Sequence, residues 1–386
     1  MSTRRELLFE LFRRLAERQI PCCVQRNYAN LFDDPASDVD LLTLPARVND
    51  VIACCEAAAK TTGQQLVQRT RFVNHSLVLW NGGKGFLRID VDTEKRWRRF
   101  HLLTAAQILQ QRRWLGQNNK TDGRAGGPLP AAGSQAKDGA HGVAGPAGES
   151  NFCIPDPRHE AVILLTQALW QEELSERYAA RLRQFDQQVA DKDSLAAVFG
   201  EAFGLRENLL ANLADAALPE RLRRAVRRSV CLQPARALRS LGYLLGDALR
   251  LLARLKSPPG ISVRTTGVSD AGVNELRARL AILFPMKKAF QSNGPVAKSA
   301  IRKTLFKGGL LIEAQTEAEK STKLDHGSWF EPSRSFAVIQ EPDGAARVLH
   351  VGTGIIHSLP ATARPEEVAS GIADFICRVL ARQLDK

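Results

Sequence analysis

The sequence predicts an α+β domain, a helical connector and a smaller α/β layer, and three observations carry that division. Helical and strand periodicities alternate over the first hundred residues. Residues 116–150, "GQNNKTDGRAGGPLPAAGSQAKDGAHGVAGPAGES", hold almost nothing that can build a core. "SPPG" at 257–260 ends a long helical stretch and is followed by a strand, a glycine-containing turn and a helix. A chain of 386 residues has room for two or three domains with real cores. The expected boundaries are 1–115, a disordered insertion at 116–150, a helical region at 151–256, and 257–386.

Residues 3–19 read as an amphipathic helix, "PCCVQRNY" as a short strand and turn, and "SDVDLLTL" as a second strand. An alanine-rich helix follows at 46–61, with Gly63 just beyond its end as a C-terminal glycine. "FVNHSLVLW", the turn "NGGKG" and "FLRIDVD" read as a hairpin. This order makes a small mixed sheet flanked by helices. Helices dominate from about 157 to 256. In the last region "ISVRTTG" is a strand and "NELRARLAILF" a helix. "SFAVIQ", the turn "EPDG", the stretch "ARVLHVGTGIIHSL" and a helix from Pro365 complete it.

The net charge of +13 favours acidic partners such as nucleotides, nucleic acid or an anionic membrane face. Residues 221–256 carry ten Lys and Arg against one acid, Asp247. A solvated basic face is the plainer reading; an electrostatic surface for peripheral contact with an anionic membrane is the other. Nucleic acid fits less well, because the stretch lacks interleaved aromatic residues or a recognised module. Seven cysteines without a CxxC framework point to reduced thiols. Arg13, Arg14, Glu17 and Arg18 interrupt any signal-peptide core, and no apolar run approaches membrane-spanning length. The expected location is cytoplasmic.

The chemistry concentrates in carboxylates. Asp38 and Asp40 lie two residues apart, so on a strand both point to one face while Val39 and Leu41 point to the other. "FLRIDVD" repeats the device, with Leu87, Ile89 and Val91 alternating with Arg88, Asp90 and Asp92. If the two strands are neighbours, three carboxylates converge. Oxygen ligands of this kind suit Mg²⁺, which binds through a few carboxylates plus substrate phosphates. The bland alternative is a turn in which Asp is common.

"VQRNYANLFDDPASDVDLLT", "FLRIDVD", "FHLLTAAQILQQRRW" and "FCIPDPRHEAVILLTQAL" resemble a family of nucleotidyltransferase-fold proteins, similar to the catalytic domain of DNA polymerase β-like enzymes. The resemblance covers roughly residues 20–180. It implies an α+β nucleotidyltransferase-like domain, with Asp38, Asp40 and Asp90 as catalytic metal ligands and Asp92 as second choice for the third acid. It also implies Mg²⁺ and a nucleoside triphosphate. That superfamily has a Gly-Gly or Gly-Ser turn ahead of the paired acids, whose amides hold the triphosphate. Here "QRNYANL" stands instead, leaving Arg26 or Asn27 to contact phosphate.

In the same group the first domain is often followed by a thymidylate kinase-like P-loop domain, and the group accompanies surface-polysaccharide genes. "PPGISVRTTGVSDAGVNELRARL" resembles the start of such a domain, and "LPATARPEEVASGIADFICRVLARQ" its closing strand and helix. The P-loop pattern is GxxxxGK[ST]. Gly267 and Gly272 stand at its glycine positions, but Val273 replaces the lysine and Asn274 the hydroxyl residue. The expectation is a truncated α/β P-loop kinase-like domain without phosphoryl transfer. Lys320-Ser321-Thr322 lacks preceding glycines and reads as a solvated segment. His75, His159, His326, His350 and His357 are scattered, without zinc-ligand spacing.

Two functions fit these observations. One is Mg²⁺-dependent nucleotidyl or phosphoryl transfer, with a sugar or polysaccharide precursor as acceptor. The other is a non-catalytic nucleotide-sensing or regulatory protein in which both domains have decayed. Intact acids favour the first, and damage to both phosphate-cradling turns the second.

Overall fold

The computed structural model describes residues 3–34, 38–71, 74–82, 85–115, 152–215, 217–256, 260–280, 289–292, 310–315 and 334–384. In chain order these form α1 (Thr3–Glu17), β1 (Cys22–Val24), β2 (Val39–Thr43), α2 (Val48–Thr61), β3 (Gln65–Arg71), β4 (His75–Trp80) and β5 (Phe86–Asp92). Next come β6 (Glu94–Trp97), β7 (Phe100–Thr104), α3 (Ala105–Gln110), β8 (Arg113–Trp114) and β9 (Cys153–Ile154). The helices α4 (Pro157–Gln171), α5 (Glu176–Gln188), α6 (Lys192–Phe203), α7 (Leu218–Leu232) and α8 (Pro234–Lys256) follow. The remainder is β10 (Ile261–Thr266), α9 (Asp270–Leu280), β11 (Ala289–Ser292), β12 (Leu310–Gln315), β13 (Ser335–Gln340), β14 (Ala346–His350), β15 (Ile356–Leu359) and α10 (Pro365–Leu384). The chain is thus mixed α and β, with several sheets. The 116–150 insertion, Lys320-Ser321-Thr322 and His326 fall outside the described residues.

Two compact units divide the chain. The first holds Met1–Thr62, Val73–His75 and Arg88–Gly246; the second holds Gly63–Phe72, Ser76–Leu87 and Asp247–Lys386. In the first, β1 runs antiparallel to β2 and β2 parallel to β5, with Asp40 opposite Asp90. Val39, Leu41, Ile89 and Val91 are fully buried, so one face of this pair is core and the acids take the other. The helices form around α4, which is buried nearly all round, as a central helix must be. Asp156 caps it, its side chain accepting from Arg158 N, with Pro157 in the first turn. Thr104 and Gln107 make a capping box on α3. Gly204 ends α6 at φ 81°, where a Cβ would lie 2.7 Å from Ser229 Cβ. On either side of residues 116–151 the chain is pinned: Arg113 pairs with Ile154 and Trp114 with Cys153, and Leu115 N donates to Phe152 O at 3.1 Å.

The second unit is built on a six-stranded sheet in the order β11-β12-β10-β13-β14-β15. Its first four strands are parallel, and β13, β14 and β15 continue as an antiparallel meander. Helices α9 and α10 pack together. Gly63–Phe72 and Ser76–Leu87, which the sequence places with the first domain, cluster here. Val67, Val78 and Trp80 share an apolar core with Val263, Phe336, Ile372 and Ile376. Asn81 N donates to Gly85 O at 3.2 Å, closing the turn that follows β4.

The last two helices of the connector behave differently. Val226, Leu222 and Leu218 anchor α7 in the core. On α8 the polar side faces inward: Ser240 is buried, Tyr243 donates to Glu94, and Arg239 donates to His101. Its leucines face out, with Leu238, Leu241, Leu245, Leu249 and Leu252 all more than half exposed. All seven cysteines are free thiols. Among the described residues no helix is long and apolar enough to cross a membrane.

The two helices should respond oppositely to mutation. Leu222→Ala, at a fully buried position, is expected to cost about 2–5 kcal/mol of stability. Leu245→Gln, 63% exposed, should change it by less than ~0.5 kcal/mol. Urea denaturation followed by circular dichroism measures both, and a large loss in Leu245→Gln would mean that its face is covered.

Candidate functional site

The register places Asp40 beside Asp90 and Leu42 beside Asp92 on one face of the parallel pair. Asp38 sits two residues before Asp40 on the same alternation. Gln25, which follows β1 and whose N donates to Asp40 O at 2.9 Å, brings the preceding turn to the same edge. The acids therefore share a face, as their spacing predicts.

Their oxygens are engaged by the chain's own donors. Arg26 grips Asp40 with both arms of its guanidinium, Nε to Oδ2 at 2.6 Å and Nη2 to Oδ1 at 3.2 Å. Burial works against the Arg26 charge, but Asp40 outweighs it and raises the guanidinium pKa above its usual value. Asp92 Oδ2 accepts from Lys95 Nζ at 2.6 Å and from Gln25 Nε2 at 3.0 Å. Asp38 lies 4.0 Å from Arg88. Burial pushes the half-buried Asp38 carboxyl up, Arg88 pulls it down, and Asp40 adds to the rise. Arg4 also pulls the Asp38 carboxyl down, so several of the chain's own cations face these acids.

Asn27 takes the left-handed conformation, φ 57° and ψ 23°, with no capping bond from its side chain. That is the backbone region a glycine enters freely and an asparagine tolerates. A turn of that geometry precedes the acids, with Arg26 turned toward Asp40. Beyond it, Tyr28 OH donates to the buried Glu160 of α4 at 2.8 Å. Arg181 of α5 donates to Tyr28 OH and lies 3.4 Å from Glu160, and Arg113 lies 3.8 Å from it. Arg26 Nη1 also reaches Tyr178 OH at 3.4 Å. Burial raises the Glu160 pKa, against the pull of Arg181 and Tyr28. Sequence reasoning missed Gln25, Tyr28, Lys95, Glu160 and Arg181. Only Lys95, three residues after Asp92, left a readable signal.

These donors fit a divalent ion poorly as they stand. Both Asp40 oxygens are committed to Arg26, and no group of three or more His, Cys, Asp or Glu among the described residues is arranged to hold a metal. A guanidinium held bidentately is the stronger kind of ion pair, and a metal at Asp40 has to displace it.

In the second unit Gly267 follows β10 directly, at φ +74°, and a Cβ there would lie 2.4 Å from Gln340 O. Helix α9 begins three residues later, so Gly272 is inside its first turn instead of in a loop. Ser269 covers that turn, its Oγ accepting from Gly272 N at 3.2 Å and its carbonyl from Val273 N at 2.9 Å. Val273, at the lysine position, is fully buried in the core. A cavity of about 390 Å³ opens where β10 and β13 end, the place where open α/β sheets bind ligands. Gly267, Ser269, Gln340 and Glu341 are among its lining; Glu341 is paired with Arg347, and no cation lines the cavity among the described residues.

No protein-family model, curated protein or solved structure matches the chain.

Arg26→Ala should destabilise the protein by about 3 kcal/mol, because it leaves Asp40 buried without its cation. Asp40→Asn in that background should recover part of the loss, and a double-mutant cycle in urea reads the coupling. A second test concerns His159, whose buried Nδ1 has no hydrogen-bond partner among the described residues and whose pKa burial lowers. The unfolded chain binds that proton more readily, so stability is lost as pH falls below the unfolded value near ~6.5. His159→Gln should flatten the fall between about pH 6.5 and 5 by up to ~1.4 kcal/mol per unit. Parallel urea curves for both proteins at pH 7 and 5 make the comparison.

Proposed function

We propose that the chain is a non-catalytic nucleotide-sensing or regulatory protein, built from a nucleotidyltransferase-like unit and a kinase-like unit. The observation that carries this reading is the bidentate Arg26–Asp40 pair, which sets a fixed cation against the carboxylate that the resemblance assigns to a metal. Lys95 does the same at Asp92. The second unit supports it independently. Val273 points into the core, Ser269 covers the amides at the start of α9, and Glu341 lines the cavity at the strand ends. A site of that composition offers phosphate no lining cation among the described residues.

A second reading, Mg²⁺-dependent nucleotidyl transfer to a sugar or polysaccharide precursor, keeps one specific support. Asp40 and Asp90 are cross-strand partners with Asp38 on the same face, and Asn27 makes a left-handed turn just ahead of them. It requires Arg26 to leave Asp40. The two readings part in one assay, in which the full chain is incubated with Mg²⁺ and each nucleoside triphosphate and pyrophosphate release is measured. The expected result is release no faster than from Asp40→Asn. Mg²⁺-dependent release that disappears in Asp40→Asn would reverse the assignment and make the first unit an enzyme.

A further inference from the structure

A further cavity in the first unit has none of the four acids in its lining. It measures about 620 Å³ and opens between β7, α6 and the start of α8. Three arginines line it, Arg206, Arg236 and Arg239, against one carboxylate, Glu201. Glu201 is occupied as acceptor from Gln107 Nε2. None of the three arginines forms a salt bridge among the described residues. Arg236 donates to Ser229 Oγ at 2.9 Å, and burial lowers its pKa. Arg206 lays its stem on Gly200, where a Cβ would come within 2.5 Å of its Cγ. Arg206 and Arg239 are exposed and Arg236 is half-buried, and Glu201 offsets part of the Arg236 charge, so among the described residues positive charge predominates in this lining.

Arg239 makes one further contact. Its Nη1 lies 3.2 Å from Nε2 of the buried His101. A guanidinium only donates, so Nε2 carries the lone pair and the ring proton sits on Nδ1. Nδ1 lies 3.4 Å from Glu94 Oε2 and 3.4 Å from Tyr243 OH, and Tyr243 donates to Glu94. Burial would raise the Glu94 pKa, but these two partners hold it below the usual carboxylate range. His101, Thr104 and Arg239 also border a second cavity of about 420 Å³, lined mainly by apolar groups including Leu44, Pro45, Ala105 and Ala106.

We infer that the paired cavities are the binding site for a small phosphate monoester. The phosphate lies among Arg206, Arg236 and Arg239, and the uncharged remainder of the ligand occupies the adjoining apolar cavity. Arginine's planar fork matches phosphate oxygens bidentately, and two or more unpaired forks in one cavity select a dianion. A volume of this order accommodates a small-molecule ligand. Arg239 would exchange His101 Nε2 for the phosphate, so His101 is a positioning residue that holds Arg239 in place while the site is empty. The inference does not rest on the fate of the acidic face, since a transferase could use such a site as well as a sensor.

The test is calorimetry on the full chain in EDTA, which removes metal chemistry from the question, with phenyl phosphate as probe and succinate as a carboxylate dianion. Saturable phenyl phosphate binding is expected, weakened at least about tenfold in Arg206→Gln and in Arg239→Gln. Arg224→Gln, on α7 and paired with Glu220, should bind as the wild type does. Should either cavity variant fail to fold, mass spectrometry of phenylglyoxal-treated wild type replaces it, and phenyl phosphate should protect Arg206 and Arg239. No binding, binding indifferent to both variants, no protection, or equal binding of succinate would each overturn the phosphate assignment.

Discussion

The ion pair between Arg26 and Asp40 is the constraint around which the first unit is arranged. The parallel register sets Asp40 against Asp90 while Val39, Leu41, Ile89 and Val91 fill the opposite face. A slip of one residue would turn two carboxylates into the core, so the apolar residues and the acids specify the same register. Having fixed the acids at a poorly solvated edge, the chain must supply counter-charge. It does so from neighbouring positions: Arg26 just after β1, Arg88 on β5, and Lys95 on β6. The turn at Asn27 then leads into Tyr28, whose hydroxyl ties α4 and α5 to the same edge through Glu160 and Arg181.

Most of the strands and helices were legible because their periodicity is local. The alternation in "FLRIDVD" and in "SDVDLL" follows directly from side-chain direction in a strand, and β5 and β2 carry it. Membership of a unit was not legible. Val67, Val78 and Trp80 look like any half-buried strand residues, and only their packing with Ile372 and Ile376 assigns them to the second unit. At the acidic face the carboxylates were legible from spacing alone, whereas their partners were not. Arg26 and Asp40 are fourteen residues apart, and Tyr28 and Glu160 are separated by 132. Pairing at such distances depends on the fold, and no local pattern encodes it.

Charge counting leaves out the direction of each side chain: Arg224, Arg227 and Arg228 of α7 are exposed, as a solvated basic face requires. The ten basic residues of 221–256 suggest a solvent-facing basic surface. On α7, Arg221, Arg223 and Arg224 are paired with Glu207, Glu172 and Glu220. On α8 the helical repeat puts Arg236 and Arg239 on the same side as Ser240 and Tyr243, toward His101 and Ser229. The leucines take the outward side, an arrangement opposite to that of an ordinary surface helix. Composition reports how much charge a segment carries, while the 3.6-residue repeat decides which way it points.

The glycine spacing in the second unit makes the same point at a single turn. Gly267 and Gly272 reproduce the intervals of a phosphate loop, yet each has a packing reason. The first permits a left-handed turn against Gln340 O, and the second lies where a Cβ would meet Val268 Cγ1 at 3.1 Å. A phosphate loop needs the residues between its glycines to stay out of the helix, so that their amides converge. Here α9 begins at Asp270, inside that interval, and Ser269 already accepts from Gly272 N. The residue after Gly272 is then rotated into the core, where Val273 is packed and an ammonium would be buried without a partner. The early start of the helix, more than the loss of the lysine itself, separates this turn from the motif its spacing resembles.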